Sequence, residues 1–324
     1  MQPTLKITAS IERWPVAGAF IIARGTKTHV DVVVVEVSDS VHFGRGEATP
    51  IYYKGETAEG AVAAILALGP DIDHQSLQAR LPSGAARNAL DYAFWDLAAN
   101  QQSKAVWQLA GLPAPQPLPT AMTVSLGTPD KMESDARALA AQFAMLKLKL
   151  SGEGDAERVA AVRRGAPTAR LIVDANESWT GRDIVAEATA LLPFGVELIE
   201  QPVKAGEDHL LDGVRSPIPL AADESCQDRG DLARCTGRYA AINIKLDKAG
   251  GLTEALALKA EAVAMGFEIM VGCMLSTSLG LAPAFLVAQE AKWVDLDGAL
   301  LLAKDRENGF KVEGGIMTPP SVLI

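Results

Sequence analysis

The sequence is poor in cysteine and in positive charge, and both shortages limit what the protein can be. Its three cysteines are too few and too irregularly spaced for a disulfide framework, and none forms a Cys-x-x-Cys pair. It has 30 basic against 40 acidic residues, and the net charge of −10 argues against a nucleic-acid partner and favours divalent cations. We therefore expect a protein of the reducing cytoplasm that binds no nucleic acid.

Segments that would direct the chain to a membrane are also lacking. Lys6, Glu12 and Arg13 interrupt the apolar residues near the start of the chain, so we expect no export signal. Residues 269–289 carry no charge and are long enough to span a bilayer. Glycine, proline and hydroxyl residues inside this stretch indicate a strand, a turn and a short buried helix instead, and no membrane partner is expected.

The chain divides into two parts by pattern. An apolar run at residues 30–37, VDVVVVEV, is typical of a strand and precedes Ala-rich helical patterns. The segment 111–119, GLPAPQPLP, has four prolines in nine residues and is the best linker candidate. We therefore predict a separate α+β domain over residues 1–115 and a second domain over residues 116–299.

Beyond the linker, short apolar strands alternate with Ala-rich amphipathic helices. The eight strand candidates read AMTVSL, LKLKL, LIVDA, VELIE, PLAAD, AINIK, EIMVG and WVDLD, and residues near seven of their C-terminal ends follow at intervals of 22 to 27 residues. A strand, a helix and two loops need about that many residues. This periodicity, with no hairpin turn between strands, predicts an α/β fold with a parallel (β/α)-barrel, whose active site lies at the C-terminal strand ends.

Lysines mark two of the predicted barrel strands. Lys147 and Lys149 lie two residues apart in LKLKL, so the two-residue period of a strand directs both into the barrel. An edge strand with solvated lysines is the competing interpretation of this segment alone, and the barrel periodicity weakens it. Lys245 ends the sixth strand, nearly opposite the second. Positive charge from a divalent cation bound beside them and from the second ammonium would lower the pKa of such lysines, as a general base requires.

Acidic residues mark three consecutive strand ends. Asp174, Glu200 and Asp223 occur in the contexts VDANE, IEQP and ADES. Singly, each is more often a helix cap or a surface residue. Together, three inward carboxylates repel one another, and a hard divalent cation with oxygen ligands removes that repulsion. The pattern therefore predicts a Mg²⁺ site.

The motifs KLK, VDAN, IEQP, ADES and NIKLDKAGG, in this order and spacing, resemble those of the enolase superfamily, specifically its muconate-lactonizing-enzyme subgroup. The resemblance covers nearly the whole chain. It implies a modified TIM barrel with an N-terminal capping domain completed by the C-terminal tail, residues 300–324. It also implies one Mg²⁺ held by Asp174, Glu200 and Asp223, which stabilises the enediolate formed when a proton alpha to a carboxylate is lost.

The same resemblance assigns roles to the lysines. Lys149 and Lys245 are implied to be the acid/base pair, one on each face of the substrate, and Lys147 is implied to help hold the substrate carboxylate. One lysine removes the alpha proton and the other returns a proton to the opposite face. The implied outcome is inversion at the alpha carbon.

The eighth strand indicates a branch of the superfamily. Mandelate-racemase-like relatives use a histidine on the seventh strand, where this chain has Gly272 and Cys273. In VDLDG, Asp295 and Asp297 project to one face and resemble the Asp-x-Asp signature of dipeptide epimerases, which binds the N-terminal ammonium of the substrate. A capping turn is the competing interpretation. Cys226 and Cys273 fall near the barrel mouth, where small packing residues are the simplest assignment.

Arg24, in FIIARGTKTH, lies in a segment that resembles the capping loop of that family, which contacts the distal side chain of the substrate. An arginine there implies an acidic side chain on the dipeptide, as in the L-Ala-D/L-Glu of murein peptides. A solvated loop arginine is the competing interpretation. The alternatives left open are o-succinylbenzoate synthase or N-succinylamino-acid racemase activity, and a barrel that binds without catalysis. A small dipeptide is the expected partner, and a homo-oligomer stays open.

Overall fold

The computed structural model describes residues 5–22, 25–69 and 71–319. Its N-terminal unit is built on an antiparallel sheet in which the second strand pairs with the first and the third. The strands are β1 (Lys6–Ile22), β2 (Gly25–Ser38) and β3 (Phe43–Ala48). The helices of this unit are α1 (Ala58–Leu66), α2 (His74–Arg80), α3 (Ala85–Gln102) and α4 (Val106–Leu109).

The strand β2 has an apolar run over residues 30–37 because both faces of this part of the strand are covered. Val33 and Val35 pack in one cluster with the helices of the same unit. Val30 and Val32 face the other way and pack with Leu275, which belongs to the second half of the chain. A strand buried on both faces has a near-continuous apolar sequence instead of an alternating one. This part of β2 is therefore an interior layer that joins the N-terminal unit to the barrel.

The second half of the chain forms the predicted barrel. After β4 (Leu118–Pro119), eight strands of the described chain lie in parallel and in sequential order. The backbone nitrogen of Ala121 donates to the backbone oxygen of Val294 at 2.8 Å, which joins the last strand to the first. The barrel strands are β5 (Met122–Val124), β6 (Met145–Lys149), β7 (Arg170–Asp174), β8 (Val196–Glu200), β9 (Leu220–Ala222), β10 (Ala241–Ile244), β11 (Glu268–Gly272) and β12 (Trp293–Asp295).

Helices lie between the barrel strands and cover them from outside. Several begin with a side-chain cap, as where Asp183 accepts from the backbone nitrogens of Val185 and Ala186. Single 3₁₀ turns lie at Tyr52–Lys54, Leu192–Phe194, Asp208–Leu211 and Arg229–Asp231. The α-helices are α5 (Pro129–Leu139), α6 (Asp155–Gly165), α7 (Ile184–Leu191), α8 (Leu232–Cys235), α9 (Leu246–Ala249), α10 (Leu252–Ala264) and α11 (Ser278–Ala288).

Alternation along the barrel strands separates an inner from an outer core. In β6, Leu146 and Leu148 belong to the large cluster shared with the surrounding helices. Met145 belongs instead to a small inner cluster to which each barrel strand or the residue just before it contributes one side chain. The inward direction of Lys147 and Lys149 follows from the same two-residue period. The barrel is thus filled with apolar side chains at its base and with charged ones at its C-terminal end.

The segment after β12 returns to the N-terminal unit. Val16 of β1 forms an antiparallel bridge with Leu302, and the guanidinium of Arg306 lies 2.7 Å from the carboxylates of both Glu12 and Glu47. A final hairpin then pairs with β4; its strands are β13 (Lys311–Glu313) and β14 (Ile316–Thr318). These contacts follow the expected course of the tail, while the domain limits at 115/116 and 299/300 stay predictions.

Within the described ranges, no helix has both the length and the apolar character needed to cross a bilayer. The uncharged stretch 269–289 forms most of β11, a turn and the helix α11. The prediction of a strand, a turn and a short helix for this stretch is confirmed. Proline inside α11, at Pro283, is tolerated in a helix whose residues are nearly all buried.

Candidate active site

The predicted site residues of the barrel meet at the C-terminal ends of its strands. Lys147 and Lys149 lie on β6, Asp174 ends β7 and Glu200 ends β8. The others follow at the ends of later strands: Asp223 directly after β9, Lys245 directly after β10, and Asp295 at the end of β12 with Asp297 two residues on. All eight side chains are buried. Arg24 lies outside the described residues.

Lys147 lies at the centre of the acidic groups. Its Nζ is 2.6 Å from Glu200 Oε2, 2.8 Å from Asp295 Oδ2 and 3.7 Å from Asp174 Oδ2. Burial, the largest single cause, lowers the pKa of Lys147, but the surrounding carboxylate charges outweigh it and hold that pKa well above its usual value. This ammonium is therefore a permanent positive charge inside the barrel.

The other two lysines flank the acids from opposite sides. Lys149 Nζ is 2.8 Å from Asp174 Oδ2, and Lys245 Nζ is 2.6 Å from Asp223 Oδ2. Burial lowers the pKa of Lys245, but the charges of Asp223 and Glu200 outweigh this effect, so its pKa is well above the usual value. This is the pKa of the metal-free site, where the nearest neighbours of Lys245 are acids; the lowering expected beside a bound cation stays a prediction.

The three acids at the ends of β7, β8 and β9 have different electrostatic environments. Burial and the nearby charge of Asp174 raise the pKa of Glu200 to about 8. Burial alone would also raise the pKa of Asp174, but Lys149 and Lys147 bring it below its usual value. For Asp223 the charges of Lys245 and Lys248 have the same effect and hold its pKa well below normal. Glu200 is therefore the acid whose ionisation these surroundings favour least.

The donor chemistry of these acids fits a hard divalent cation. Carboxylate oxygens are the preferred ligands of Mg²⁺, and the raised pKa of Glu200 reports the charge repulsion that such a cation would remove. Among the described residues, no three His, Cys, Asp or Glu side chains already surround a single point. The reason is visible in the contacts: Lys147 lies within 4 Å of both Asp174 and Glu200, and Lys245 lies within 4 Å of both Glu200 and Asp223.

Two buried residues that the sequence reasoning missed support these acids. Asn243 Nδ2 donates to Glu200 Oε1 at 2.7 Å, and Lys248 Nζ lies 2.7 Å from Asp223 Oδ1. Lys248 Nζ also donates to the backbone oxygens of Cys226 and Asn243, at 2.9 and 3.0 Å. Asn243 precedes Lys245 by two residues, so the strand period that located the lysines indicates it too. Lys248 follows β10 on α9, where that period no longer applies.

Gln201 fixes the chain around Asp223. Its side-chain oxygen accepts from the backbone nitrogens of Asp223 and Ser225, at 2.9 and 3.0 Å. Its own backbone has a φ of 38°, a left-handed conformation that is uncommon for a residue with a side chain. Such geometry is maintained where surrounding contacts determine it. Gln201 therefore couples the end of β8 to the position of the acid that follows β9.

The Asp-x-Asp pair lies in the same cavity as the lysines. Asp295 contacts Lys147, as described above, and Asp297 Oδ2 accepts from the backbone nitrogen of Thr123 at 2.8 Å. Burial and the charge of Asp295 raise the pKa of Asp297 to about 6. A cation beside the pair would favour the ionised form of Asp297.

The seventh strand leaves room for the lysine of the sixth. A side chain at Gly272 would bring its Cβ within 2.8 Å of Asn243 Oδ1 and 3.2 Å of Lys245 Cε. A residue with a side chain at position 272, histidine included, would therefore crowd the Lys245 side chain. Cys273 follows, donates to the backbone oxygen of Asp295 at 3.4 Å, and lines the cavity. Burial raises the pKa of its thiol well above normal, so it is not a ready nucleophile.

The cavity lies between the strand ends and the N-terminal unit. Its empty volume, including the part open to solvent, is about 620 Å³. The barrel contributes the lysines and aspartates already described, together with Glu224, while Glu200 lies outside the lining. The N-terminal unit contributes residues from β1, β2 and the turn after β3, namely Phe20, Ile22, Lys27, Tyr52 and Tyr53. The site is therefore built jointly by both halves of the chain.

A parallel barrel with lysines and acids at its strand ends, covered by an N-terminal α+β unit, defines an enolase-type barrel protein. Residues 131–322 match the family described as "Enolase C-terminal domain-like". Residues 4–111 match "Mandelate racemase / muconate lactonizing enzyme, N-terminal domain". The chain belongs to the mandelate racemase/muconate lactonizing enzyme family of the enolase superfamily.

Individual relatives are similar over nearly their whole length. The chain is 44% identical to the L-Ala-D/L-Glu epimerase of Escherichia coli (strain K12) over 309 residues, which cover 94% of this chain and 96% of that protein. It is 42% identical to the N-acetyl-D-glutamate racemase of Pseudoalteromonas sp. over 294 residues, which cover 89% of this chain and 93% of that protein.

Solved structures agree with this placement. An enolase family member from Agrobacterium tumefaciens with homology to dipeptide epimerases, containing sodium and L-Ala-L-Glu, superposes with a TM-score of 0.95 at 46% identity and covers 98% of both chains. The dipeptide epimerase from Cytophaga hutchinsonii, complexed with Mg and D-Ala-L-Val, gives a TM-score of 0.92 at 28% identity, covering 99% of this chain and 94% of that one.

Proposed function

We propose that this chain catalyses the Mg²⁺-dependent epimerisation of the C-terminal residue of a dipeptide, with L-Ala-D/L-Glu as its substrate. The observation that carries the proposal is the placement of Lys149 and Lys245. Lys149 ends the second barrel strand and Lys245 directly follows the sixth, so they lie on either side of the acids, and both line one cavity. This is the arrangement that a reaction needs if a proton leaves one face of a carbon and returns to the other.

In this proposal, Asp174, Glu200 and Asp223 hold the cation. When bound, Mg²⁺ would offset the negative charge that develops on the substrate carboxylate and would neutralise the acids that keep the pKa of Lys245 high. Lys147 donates a charge-assisted hydrogen bond to that carboxylate. Asn243 and Gln201 keep the acids in place through the contacts described above.

The proton transfer itself belongs to Lys149 and Lys245. One of them, in its neutral form, accepts the alpha proton from its side of the substrate. The other, as an ammonium, donates a proton to the opposite side. Because the two side chains approach from opposite sides of the acids, the product has inverted configuration at the alpha carbon.

The Asp-x-Asp pair accounts for the dipeptide. We assign Asp295 and Asp297 to the N-terminal ammonium of the substrate, and the raised pKa of Asp297 supports this, because a cation beside the pair relieves its charge repulsion. The relative that acts on L-Ala-D/L-Glu supports glutamate as the second residue. The same proposal includes three further points. Arg24 binds the side chain of that glutamate, the natural substrates are murein peptides, and the protein acts in the cytoplasm.

The test is proton NMR in D₂O with L-Ala-D-Glu or L-Ala-L-Glu, following the Glu alpha proton and the ratio of diastereomers. With Mg²⁺ we expect exchange of the alpha proton together with epimerisation, and loss of both after chelation by EDTA. Exchange in the Lys149→Met/Lys245→Met double variant would assign the chemistry to other groups. No exchange with any acidic dipeptide would overturn the substrate assignment.

A second candidate function is racemisation of an N-acylated glutamate, favoured by the relative that racemises N-acetyl-D-glutamate. That substrate has no ammonium for Asp295 and Asp297 to bind. The Asp297→Asn variant separates the two candidates. Under the main proposal, dipeptide turnover falls in this variant; if the natural substrate is N-acylated, N-acetyl-D-glutamate is turned over faster than the dipeptide and is little affected.

A further inference from the structure

Lys245 stands at the start of a helix that is too short to fix its own position. It directly precedes α9, and its backbone oxygen accepts from the backbone nitrogens of Lys248 and Ala249, both at 3.0 Å. A helix of four residues is not stable alone, so contacts with other parts of the chain must determine its orientation. The position of the Lys245 side chain therefore depends on what holds α9.

Asp247, the second residue of α9, joins this helix to the N-terminal unit. Its Oδ1 accepts from the backbone nitrogen of Thr49 and from Nδ2 of Asn88, both at 2.9 Å. All three residues are buried. Thr49 directly follows β3 and Asn88 lies on α3, so two elements of the N-terminal unit meet at one oxygen atom. Removing that oxygen would leave two buried donors without their acceptor, which is unfavourable.

The end of α9 is held from the same side. Arg87, the neighbour of Asn88 on α3, donates to the backbone oxygens of Ala249 and Gly250, at 2.6 and 3.1 Å. Gly250 has a φ of 85°, and a Cβ at this position would overlap the guanidinium of Arg87. The N-terminal unit therefore fits closely against α9 and fixes it at two points.

A second buried carboxylate joins the same two halves of the chain at a different helix. Asp91, about one turn after Asn88 on α3, accepts from the backbone nitrogen of Thr253 at 3.0 Å and from its Oγ1 at 2.6 Å. Thr253 belongs to α10. Asp91 thus supports the docking of the two halves through α10, while Asp247 supports it through the helix that begins at Lys245.

We propose that Asp247 is a positioning residue for Lys245: the hydrogen bonds from Thr49 and Asn88 orient α9 so that the Lys245 side chain reaches its face of the substrate. The inference rests on the proposed function, because it requires Lys245 to transfer a proton. Lys149 belongs to β6 and is placed by the pairing of that strand with β7. Loss of the Asp247 contacts should therefore impair one face of the substrate and spare the other.

The test follows alpha-proton exchange by NMR in D₂O with Mg²⁺, started separately from L-Ala-D-Glu and L-Ala-L-Glu. The Lys245→Met variant identifies the diastereomer whose exchange depends on Lys245. In Asp247→Ala, kcat for that diastereomer should fall about 10- to 100-fold with little change in KM, because a small displacement of a reacting group has an effect of this size. Exchange of the other diastereomer should be nearly unchanged. Asp247→Asn should restore most of the loss, because its side-chain oxygen can accept both hydrogen bonds.

Two further variants separate positioning from stability. Asp91→Ala removes an equally buried contact between the same halves, and it should leave the ratio of exchange on the two faces as it is in the wild type. Asn88→Ala leaves α9 itself intact and should cause the same one-sided loss, more weakly. This second variant decides the question if Asp247→Ala does not fold.

Three results would overturn the role of Asp247 while the proposed function stands. They are an equal loss on both faces in Asp247→Ala and Asn88→Ala, no loss in either variant, and a one-sided loss of the same size in Asp91→Ala. A wild-type protein that exchanges the alpha proton of no glutamate derivative, dipeptide or N-acetylated, overturns the proposed function and this inference together.

Discussion

Lys147 and Glu200 form an ion pair at 2.6 Å in which both side chains are only 1% exposed to solvent. Two opposite charges this deep in a protein stabilise each other, but each is strongly unfavourable without the other. The pair therefore ties the stability of the barrel to the same groups that we assign to catalysis. This relationship makes several consequences measurable.

Replacing Lys147 with Met should destabilise the metal-free protein by about 3 to 5 kcal/mol, because it leaves buried carboxylates without their shared cation. Urea unfolding checks this. Mg²⁺ should restore more stability to the variant than to the wild type, since the ion replaces the lost positive charge. Lys131→Met is the control; Lys131 pairs with Asp135 on the exposed surface of α5, where little effect is expected. Equal sensitivity of both variants would contradict the prediction.

Single replacement of the two proposed bases should separate the two faces of the substrate. Lys149→Met and Lys245→Met should each reduce epimerisation about 10²- to 10⁴-fold, because each removes one proton-transfer group. Each variant should keep measurable alpha-proton exchange with the one diastereomer whose proton faces the remaining lysine. NMR in D₂O, started separately from L-Ala-D-Glu and L-Ala-L-Glu, distinguishes the two. Loss of exchange from both diastereomers in either variant would mean that the lysines do not act on opposite faces.

The binding of Mg²⁺ should depend on pH through Glu200. Its folded pKa of about 8 lies above the ordinary 4.5 of a glutamate, so ionisation of this group lowers the stability of the metal-free protein as pH rises from 4.5 to 8. A cation binds the ionised form, and its affinity should therefore rise about tenfold per pH unit below pH 8. Calorimetric titration with Mg²⁺ at pH 6, 7 and 8 measures this. In Glu200→Gln the dependence should disappear, and a pH-independent affinity in the wild type would refute the assignment.

Gly272→Ala should impair Lys245 more than Lys149. The added Cβ would lie 3.2 Å from Lys245 Cε and 2.8 Å from Asn243 Oδ1, so these side chains must shift. We expect a larger loss of exchange on the face served by Lys245, with the fold retained. The control is Gly127→Ala, whose Cβ would meet Lys131 at an ordinary 3.5 Å. An equal loss on both faces would indicate a general disturbance of the barrel instead.

Much of the barrel and its charged residues could be predicted because both follow from local periodicity. The two-residue period of LKLKL places Lys147 and Lys149 inward, and the spacing of the strand ends brings Asp174 and Glu200 beside them. Because register is shared between neighbouring parallel strands, residues at equivalent ends must be neighbours. The same reasoning extends to Asn243, which precedes Lys245 by two residues.

What could not be predicted depends on distances between distant parts of the chain. The raised pKa of Lys245 follows from a 2.6 Å contact with Asp223, and a strand pattern does not specify such contacts. The lining of the cavity by Phe20, Ile22 and Lys27 depends on how the N-terminal unit docks on the barrel. That docking is made by side chains such as Val32 and Leu275, which are far apart in sequence. Lys248 lies on α9, a helix of four residues. A helix this short has no sequence periodicity from which the partners of Lys248 can be predicted.

The β1–β2 hairpin lines part of the cavity independently of the barrel strands. Its inward side chains come from two paired strands. The register of these strands, and not the barrel, determines which residues face the cavity. Slipping one strand of the hairpin by a single residue would turn Phe20 and Ile22 outward and bring Ile21 inward, with the barrel lysines and acids untouched. A few changes in this hairpin alone, by evolution or in the laboratory, would therefore alter the wall of the cavity and leave its charged floor unchanged.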